Sequence, residues 1–563
     1  MKRLALLRAS SALDRPGAAG RLLGQPLPQR YWFALGIAAM LAAVFWLLGL
    51  WHAAWLWPGQ SDSAAVVLLG QDMRSGNWAL TGWLLPLDTY WVTEIPLYAV
   101  AVSIRGIAFS LIHAVPFLIY LAVIMSGVWI ARRGRRGLDG WTGSVVTLVL
   151  LGLLGTAAAT TVLHGPAHIS TALACLLAFA ALKSADFKRP AGYLVAFVLL
   201  TLALTSDPMA RVTGAAPVIL VAGLVFLRYR VWKQPMAQAL TVAAALGTSQ
   251  VLRVAVQAAG GYTVTGGAPG LDGPSAWDDK FPLFVSSALR IFSADASVDG
   301  WLALVHMAVL GLVIAAAVAA LWRMLAINAD RESWLDAVLA SAAAGTAAAF
   351  FLSGYVADET AIRYLSPSFI FASVLAGRTA VALFPGLRHP LTVPVGIAVL
   401  AVYAATFVGT ATAPSPINPA APLADWLLAR GLTHGYGAYW DSNIVTVLSG
   451  NRVRVRPVLN GQNGLEPSHW NSTLGWYDVD PASPVTFVVF EPAAPWRGVD
   501  ENSARATFGA PRETQTVDRY RILIWDHDLA PSLRPATATG KAIDEAPVFG
   551  WVFQKILGAE TDD

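Results

Sequence analysis

The sequence is poor in charged residues and nearly free of cysteine. Only 13% of its 563 residues are Asp, Glu, Lys or Arg, and 56% are hydrophobic, whereas an ordinary soluble domain carries about a quarter charged residues. Long stretches carry no charge at all, which excludes a single soluble globule and is typical of a membrane protein. The one cysteine, Cys175, lies in such a stretch and excludes an intrachain disulfide, so cysteine usage does not indicate the redox compartment.

Several motifs of cofactor chemistry are also missing. There is no Walker P-loop, no dinucleotide-binding fingerprint after a predicted strand, no His-Glu-x-x-His motif and no Gly-x-Ser-x-Gly elbow. An ATP-driven pump and a soluble-cofactor enzyme are therefore unsupported. The net charge of +4 does not indicate nucleic acid, because the basic residues form short clusters beside apolar runs, where they are topology signals.

Apolar segments of about 20 residues predict a polytopic α-helical membrane protein with about eleven transmembrane helices. The first segment begins only near Tyr31 and is too long for the apolar core of a signal peptide, so we expect a retained helix. The predicted spans are 31–56, 108–131, 142–163, 166–183, 190–206, 212–228, 235–257, 300–322, 335–353, 362–378 and 391–411.

Basic residues occupy alternate connections between these spans, as the positive-inside rule expects. Five successive connections agree on one orientation, in a plasma (inner) membrane, with the N-terminal tail 1–30 cytoplasmic. Within the membrane domain 31–411, the long loops 57–107 and 258–299 then face outward. The basic residues in question are Arg132, Arg133, Arg135, Arg136, Lys183, Lys188, Arg189, Arg228, Arg230, Lys233, Arg323, Arg331, Arg378 and Arg388.

Residues 412–563 have a different character. A proline-rich linker leads into a mixed polar sequence with short alternating apolar runs, which predicts a small α/β domain. The odd number of spans places this domain on the periplasmic or extracellular side. The predicted strands are 444–448, 453–458, 485–490 and 520–525, and the predicted helix is 423–430.

Unusual carboxylates collect on the predicted outer face. Asp62, in Ser61-Asp62-Ser63-Ala64, follows the first span and is either a general base, a metal ligand or a cap for a short helix, and spacing alone favours the cap. Asp88 and Glu94 lie among aromatic residues that suit sugar faces or lipid headgroups. An interfacial aromatic belt explains the rings but not the carboxylates.

Two further turns on this face carry polar pairs. His164 and His168 are four residues apart, which fits a weak metal pair, a helix-end cap or a hydrogen bond to substrate. Asp207 and Arg211 form either a structural ion pair or part of an anion site. These alternatives stay open at the level of the sequence.

Arg363 and Tyr364 stand at the outer entry of a predicted span. An arginine there is costly unless it meets an anion, and a lipid phosphate is the natural partner because a guanidinium grips phosphate oxygens in bidentate fashion. Arg105 and Arg211 are secondary candidates for the same role.

These features together resemble the GT-C class of polytopic membrane glycosyltransferases. The resemblance rests on the acidic Ser-Asp-Ser-Ala at the first outer loop, the many spans, Arg363-Tyr364-Leu365-x-Pro367 and the outer C-terminal domain. The segments 76–90 and 435–441 are similar to bacterial members of that class. The Asp-Glu pair that some members carry at the first loop is absent here.

The resemblance implies inverting transfer of a hexose or pentose from a polyprenyl-phosphate donor to a glycan, lipid or protein acceptor outside the cytoplasm. Asp62 is then the general base and Asp88 orients a substrate. A divalent metal is a possible cofactor, and membrane lipids are expected partners. The remaining substrate-binding candidates are Arg363, Tyr364, Arg211, His164, Glu94 and Asp207.

Two other classes compete with this one. A polyprenyl-lipid or glycolipid flippase predicts ionisable residues near the bilayer midplane and repeated halves with broken helices. A non-catalytic envelope assembly protein predicts that Asp62, Asp88 and Arg363 are freely replaceable.

Overall fold

The structure is a computed structural model that describes residues 29–135, 137–267, 270–326, 331–383 and 392–533. The predicted tail 1–30, except for its last two residues, and the end of the predicted C-terminal domain lie outside these ranges. The chain divides into two units, one that ends at Leu50 and one that begins at Trp51. The candidate site and the C-terminal domain both belong to the unit that begins at Trp51.

Each of the eleven predicted spans contains a helix. Seven helices of the described ranges are long and apolar enough to cross a membrane, or eight when one bent pair counts as a single span. The chain is therefore an integral membrane protein, and eleven crossings remain a prediction. Its longer helices are Gln29–Ala54, Leu111–Arg132, Gly137–Gly152, Ile169–Ser184, Ala191–Ser206, Ala216–Tyr229, Lys233–Ala258, Ala303–Ala326, Arg331–Leu352, Ser366–Leu383 and Thr392–Thr412.

The predicted span 142–163 is broken. Its two helices, Asp139–Gly152 and Thr156–Val162, meet at 87°. At the break, the Ser293 hydroxyl accepts a hydrogen bond from the Gly155 backbone N–H at 3.0 Å, and a Cβ on Gly155 would collide with that serine. A side chain from a distant loop thus replaces the helical partner of this N–H group.

Several basic residues of the predicted inner loops are more than topology signals. Glu332 accepts hydrogen bonds from Lys183 at 2.6 Å and from Arg378 at 2.7 Å, and Arg378 also donates to Asp336 at 2.5 Å. Arg378 is fully buried. The network joins helices Ile169–Ser184, Arg331–Leu352 and Ser366–Leu383 at one end of the bundle, because a buried guanidinium needs paired carboxylates.

The first predicted outer loop, 57–107, is folded rather than irregular. It contains helices Ser61–Arg74 and Ile95–Arg105, which pack so closely that a Cβ on Gly70 would lie 2.7 Å from the Cβ of Tyr98. Between them runs a short strand, β1 (Trp83–Leu85).

Three distant parts of the chain meet in a small sheet around β1. β1 pairs in parallel with β2 (Thr263–Val264) from the second long loop and antiparallel with β6 (Ser472–Thr473) from the C-terminal domain. The sheet fixes both loops against that domain.

The C-terminal domain is α/β, as predicted. Its elements are helices Ala421–Ala429, Tyr439–Leu448 and Glu501–Phe508, and strands β3 His434–Ala438, β4 Arg454–Gly461, β5 Gly464–Pro467, β7 Phe487–Phe490, β8 Glu513–Val517 and β9 Tyr520–Ile524. These six strands form a sheet of order β5-β4-β3-β7-β9-β8, in which β3 is parallel to β4 and β7 and the other pairs are antiparallel. Three predicted strands and the predicted helix are confirmed.

The predicted strand 444–448 is wrong, because these residues end the helix Tyr439–Leu448. Parallel strands need a crossover, and this helix provides it between β3 and β4. The sequence pattern does not predict β3 either, since the two glycines of this strand lower its strand propensity. A Cβ on Gly435 would collide with the ring of Phe487 in the neighbouring strand, so this position needs glycine.

Shorter helical segments connect the longer helices. They are Ala296–Asp299 and Trp277–Ile291, with a π-helical turn at Arg211–Ala215 and a 3-10 helix at Glu359–Leu365. The 3-10 helix runs directly into Ser366–Leu383, so the span predicted at 362–378 begins only after Arg363 and Tyr364.

Candidate functional site

Asp62 lies in the first turn of helix Ser61–Arg74, but it does not cap that helix. The N-cap residue is Gln60, and it makes no side-chain capping bond. The carboxylate of Asp62 is bound instead by the C-terminal domain. The Tyr439 hydroxyl donates to its Oδ1, and Asn471 Nδ2 lies 3.4 Å from the same oxygen and donates to the Tyr439 hydroxyl at 2.9 Å.

This arrangement orients one oxygen of the carboxylate. Asp62 is half-buried, and its Oδ2 accepts no hydrogen bond from any residue in the described ranges. Burial, followed by the neighbouring Asp62 carboxylate, holds the pKa of Tyr439 well above its ordinary value. Tyr439 therefore keeps its proton and remains the donor.

Arg363 and Tyr364 lie on the 3-10 helix Glu359–Leu365, which Asp358 caps by accepting a 2.8 Å hydrogen bond from the Thr360 N–H. The Arg363 guanidinium stands 5.2 Å from the centre of the Tyr364 ring, and its Nη2 is 3.4 Å from the Tyr364 hydroxyl. The two side chains thus form a half-buried pair at the start of a membrane helix.

The charge of Arg363 is coupled to both proposed catalytic carboxylates. Burial opposes the charge, but Tyr364, Asp62 and Asp88 more than offset it and raise the pKa of Arg363. Among the described residues, no carboxylate forms a salt bridge with this guanidinium. Arg363 is held near two negative charges and retains the capacity to bind another anion.

Asp88 begins a chain of hydrogen bonds that ends at Asp207. The Tyr90 hydroxyl lies 3.3 Å from Asp88 Oδ2 and 3.2 Å from His168 Nδ1, and that nitrogen lies 2.8 Å from Asp207 Oδ2. Thr171 also donates to Asp207 Oδ2, at 2.5 Å. The first outer loop is thereby tied to two later turns of the chain.

The backbone at the centre of this chain is strained. Tyr90 has φ of 50° and His168 has φ of 60°, a left-handed conformation that L-residues with large side chains rarely adopt. Such conformations cluster at functional sites, where surrounding contacts hold them. Here the hydrogen bond between the two side chains is one of those contacts.

The ionisable groups of this network shift one another's pKa values. Burial raises the pKa of Asp88, although His168 acts against this. Burial also disfavours charge on His168 and Asp207, but their mutual contact prevails, raising the pKa of His168 and lowering that of Asp207. The contact therefore favours a protonated His168 beside an ionised Asp207.

Glu94 lies beside this network. Its side chain is 2% exposed, and its Oε1 accepts a 2.7 Å hydrogen bond from Ser170. Burial raises the pKa of Glu94 to about 7, despite the hydrogen bond from Ser170.

The other two candidates have different surroundings. His164 Nδ1 bonds the Thr160 carbonyl at 2.8 Å and its ring packs on Trp57, which corresponds to the predicted helix-end role. Arg211 is half-buried and opens the π-helical turn, while Asp207 pairs with His168. Within the described ranges, no three His, Cys, Asp or Glu side chains are grouped as a metal site requires, so a divalent metal stays a prediction.

Sequence reasoning missed the partners that hold these carboxylates. Tyr90, Tyr439 and Asn471 were not among the candidates, although 435–441 contributed to the resemblance and Asn471 begins a glycosylation-like sequon. No local signal pairs Asp62 with Tyr439, since 377 positions separate them. Only the folded arrangement shows the contact.

No family model matches the chain, and no curated protein matches it. Two solved structures of ArnT from Cupriavidus metallidurans resemble it over nearly their whole length. The apo structure has a TM-score of 0.53 and 15% identity, covering 90% of this chain and 99% of that one. The structure bound to undecaprenyl phosphate has a TM-score of 0.51 and 14% identity, covering 87% and 97%. The chain has a GT-C-like fold.

Proposed function

We propose that this protein is a membrane glycosyltransferase that moves a sugar from a polyprenyl-phosphate donor to an acceptor outside the cytoplasm. The observation that carries the proposal is the position of Arg363, whose charge is coupled to Asp62 and Asp88 while no described carboxylate pairs with it. A guanidinium at the start of a membrane helix suits the phosphate of a lipid-linked donor.

Asp62 is the general base in this account. The acceptor hydroxyl gives its proton to Asp62 Oδ2 as its oxygen attacks the anomeric carbon of the donor sugar. The bond from that carbon to the phosphate oxygen breaks, and its electron pair leaves with the polyprenyl phosphate. Because attack occurs opposite the leaving group, the configuration at the anomeric carbon inverts.

Arg363 stabilises the leaving phosphate. The leaving group is already an anion, so it needs fixed positive charge more than a proton. The nearby Tyr364 ring and hydroxyl hold the guanidinium in place. Arg211, at the start of the π-helical turn, is a second candidate for the same phosphate.

The network of Asp88, Tyr90, His168 and Asp207 orients the donor sugar. It is rigid, because each side chain is bonded to the next and two backbone positions are held in the left-handed region. Rigid polar groups fix the anomeric carbon relative to Asp62, which is where positioning contributes to rate. Glu94 supports the same wall through Ser170.

The acceptor enters between the loops and the C-terminal domain. The small sheet of β1, β2 and β6 brings both long loops to that domain beside Asp62. The likeness to ArnT, solved with undecaprenyl phosphate bound, supports a polyprenyl-phosphate partner. We further propose a plasma-membrane location, a cytoplasmic N-terminus and an extracytoplasmic C-terminal domain, as the basic loops indicate.

The test is a donor panel. Purified full-length protein is incubated with radiolabelled polyprenyl-phosphate hexoses and pentoses and a cell-envelope extract, and both labelled product and released polyprenyl phosphate are measured. The proposal expects one donor to be consumed with equimolar product. Asp425→Asn, an exposed carboxylate of the same protein, is the control and should match wild type.

Two results argue against the proposal. If no donor of the panel is consumed but a labelled lipid binds and crosses a vesicle bilayer, the flippase replaces it. If envelope assembly fails when this protein is deleted, but is restored by variants in which Asp62, Asp88 or Arg363 is replaced, a non-catalytic assembly role replaces the glycosyltransferase proposal.

A further inference from the structure

The C-terminal domain has a corner of basic and polar side chains without acidic partners. The parallel register of β3 and β4 places His434 beside Arg454 and Tyr436 beside Arg456. Alternate residues of a strand share a face, so all four side chains stand on the same side of the sheet. We call these four residues the basic corner.

Arg456 is the centre of this corner. Its guanidinium lies 4.0 Å from the centre of the Trp476 ring, and no described carboxylate forms a salt bridge with it. Burial, followed by repulsion from Arg454, lowers the pKa of Arg456 to about 9. Arg456 is half-buried. A partly desolvated cation without a counter-ion is unfavourable, and a bound anion relieves that cost.

Two neighbouring groups also lack partners. Tyr436 is fully buried, and its hydroxyl makes no hydrogen bond; the buried Nε2 of His434 makes none either. Burial and the two arginines lower the pKa of His434, which favours a neutral ring. Its Nδ1 lies 3.0 Å from the Thr433 hydroxyl, and when that hydroxyl donates to Nδ1, the proton of the ring is on Nε2. Unsatisfied buried donors beside a free guanidinium are the groups that an oxyanion accepts from.

The nearby carboxylates are already engaged elsewhere. Asp528 interacts with Tyr436 electrostatically, but its Oδ1 accepts from the backbone N–H groups of Val485 and Ala530. Asp480 acts in the same way on His434 and accepts from the Ala482 N–H. Neither forms an ion pair with Arg454 or Arg456 in the described structure.

The basic corner is joined to the environment of Asp62. The Trp476 ring, which lies against the Arg456 guanidinium, packs edge-on against Trp83 of β1 with ring centres 5.1 Å apart. β1 pairs with β6, and the residue before β6 is Asn471, which reaches Asp62. An anion bound at Arg456 is thus linked through two tryptophans and one strand pair to the proposed base.

We infer that the basic corner binds an anionic group, a phosphate or a carboxylate, of the sugar acceptor. The inference rests on the proposed function, because only a glycosyltransferase has a sugar acceptor. The donor's phosphate is assigned to Arg363, so the anion at the basic corner belongs to the acceptor. The shared chemistry is an oxyanion held by Arg456, Tyr436 and His434. Binding would place the acceptor's hydroxyl toward Asp62 and would select acidic acceptors over neutral ones.

The test measures anion binding without turnover. Full-length protein in detergent is titrated with inorganic phosphate, glucuronate and neutral glucose, and heat of binding is recorded. We expect saturable binding of at least one anion and none of glucose. Because hydrogen bonds to charged groups are the stronger ones, Arg456→Gln should weaken binding by about tenfold or more, and Tyr436→Phe should weaken it less.

Matched variants separate this corner from other cationic sites. Arg512→Gln removes an exposed arginine of the same domain and should bind as wild type, and Arg456→Lys should retain part of the affinity. Phosphate binding without glucuronate binding assigns a phosphorylated acceptor, and the reverse assigns a carboxylate-bearing one.

Three results would overturn the inference. They are the absence of saturable anion binding, unchanged binding by a correctly folded Arg456→Gln, and binding lost in Arg363→Gln but kept in Arg456→Gln. None of these results depends on the sugar-transfer assay with the donor panel. If transfer is still observed, the proposed function holds and only the inference of an acidic acceptor is rejected.

Discussion

The hydroxyl of Tyr439 donates a hydrogen bond to Oδ1 of Asp62, joining two residues 377 positions apart in the sequence. Asp62 lies at the start of the first loop helix, and Tyr439 begins the crossover helix of the C-terminal domain. The domain therefore completes the surroundings of the proposed base. A carboxylate oriented on one oxygen presents the other to an acceptor in a fixed direction.

Tyr439→Phe removes this donor and keeps the ring. Because a hydrogen bond to a charged group contributes about 1.5–3 kcal/mol, we expect transfer to fall by about tenfold to a hundredfold with little change in donor binding. The measurement is kcat and KM with the accepted donor. Tyr229→Phe, which removes a 2.8 Å hydrogen bond to the Met324 carbonyl, is the control. Equal rates for wild type and Tyr439→Phe would show that Tyr439 of the C-terminal domain does not contribute to the role of Asp62 as the base.

Arg363→Gln removes the charge assigned to the leaving phosphate. We expect kcat to fall by about a hundredfold or more, the range seen when one preorganised electrostatic group is lost. Arg363→Lys should recover only part of it, because an ammonium lacks the planar fork that grips two phosphate oxygens. If both variants raise KM and leave kcat unchanged, Arg363 binds donor without stabilising the transition state.

Glu94 should make stability depend on pH. Its folded pKa of about 7 lies above its ordinary 4.5, so the wild-type protein loses stability as pH rises from 4.5 to 7. Glu94→Gln lacks this ionisation. Relative to wild type, the variant should gain up to roughly 3 kcal/mol across that interval, measured as the difference in thermal unfolding midpoint at pH 5 and pH 8. A constant difference at both pH values would show that Glu94 ionises normally.

Asp207→Asn should be strongly destabilising. Asp207 is 1% exposed and pairs with His168, so the variant leaves a buried imidazole without its counter-ion. Breaking a buried pair from one side costs about 3–5 kcal/mol. The double variant with His168→Gln should lose less than the sum of the single losses, because the two residues act as one pair. Additive losses in thermal unfolding would mean that the pair contributes nothing as a unit.

Much of the fold follows from local sequence. Apolar length predicts a helix in each of the eleven spans because a membrane helix must satisfy its backbone internally. The strands 453–458, 485–490 and 520–525 follow from alternation. The run 444–448 is predicted as a strand from its β-branched residues, but such residues also fit a buried crossover helix. The sequence does not predict β3, because Gly435 is required by the close ring of Phe487 and has a low strand propensity.

The candidate site was only half visible in the sequence. The sequence predicts Asp62, Asp88 and Arg363 as site residues because a charge at the end of an apolar run is conspicuous. Their partners are not predicted, because Tyr90 resembles one more residue of an aromatic belt and Tyr439 lies in another domain. The alternative that Asp62 is a helix cap was plausible from spacing, and the structure gives that position to Gln60.

The most direct test of the account is transfer by Asp62→Asn. Asparagine keeps the size of the side chain and its capacity to accept from Tyr439 but cannot take a proton at neutral pH, so binding and folding should persist. Purified wild type and Asp62→Asn, matched in thermal stability and donor binding, are compared for release of polyprenyl phosphate with acceptor present. The account predicts that release falls by at least about a hundredfold, the contribution of a general base. Release at the wild-type rate would contradict it and remove Asp62 as the base.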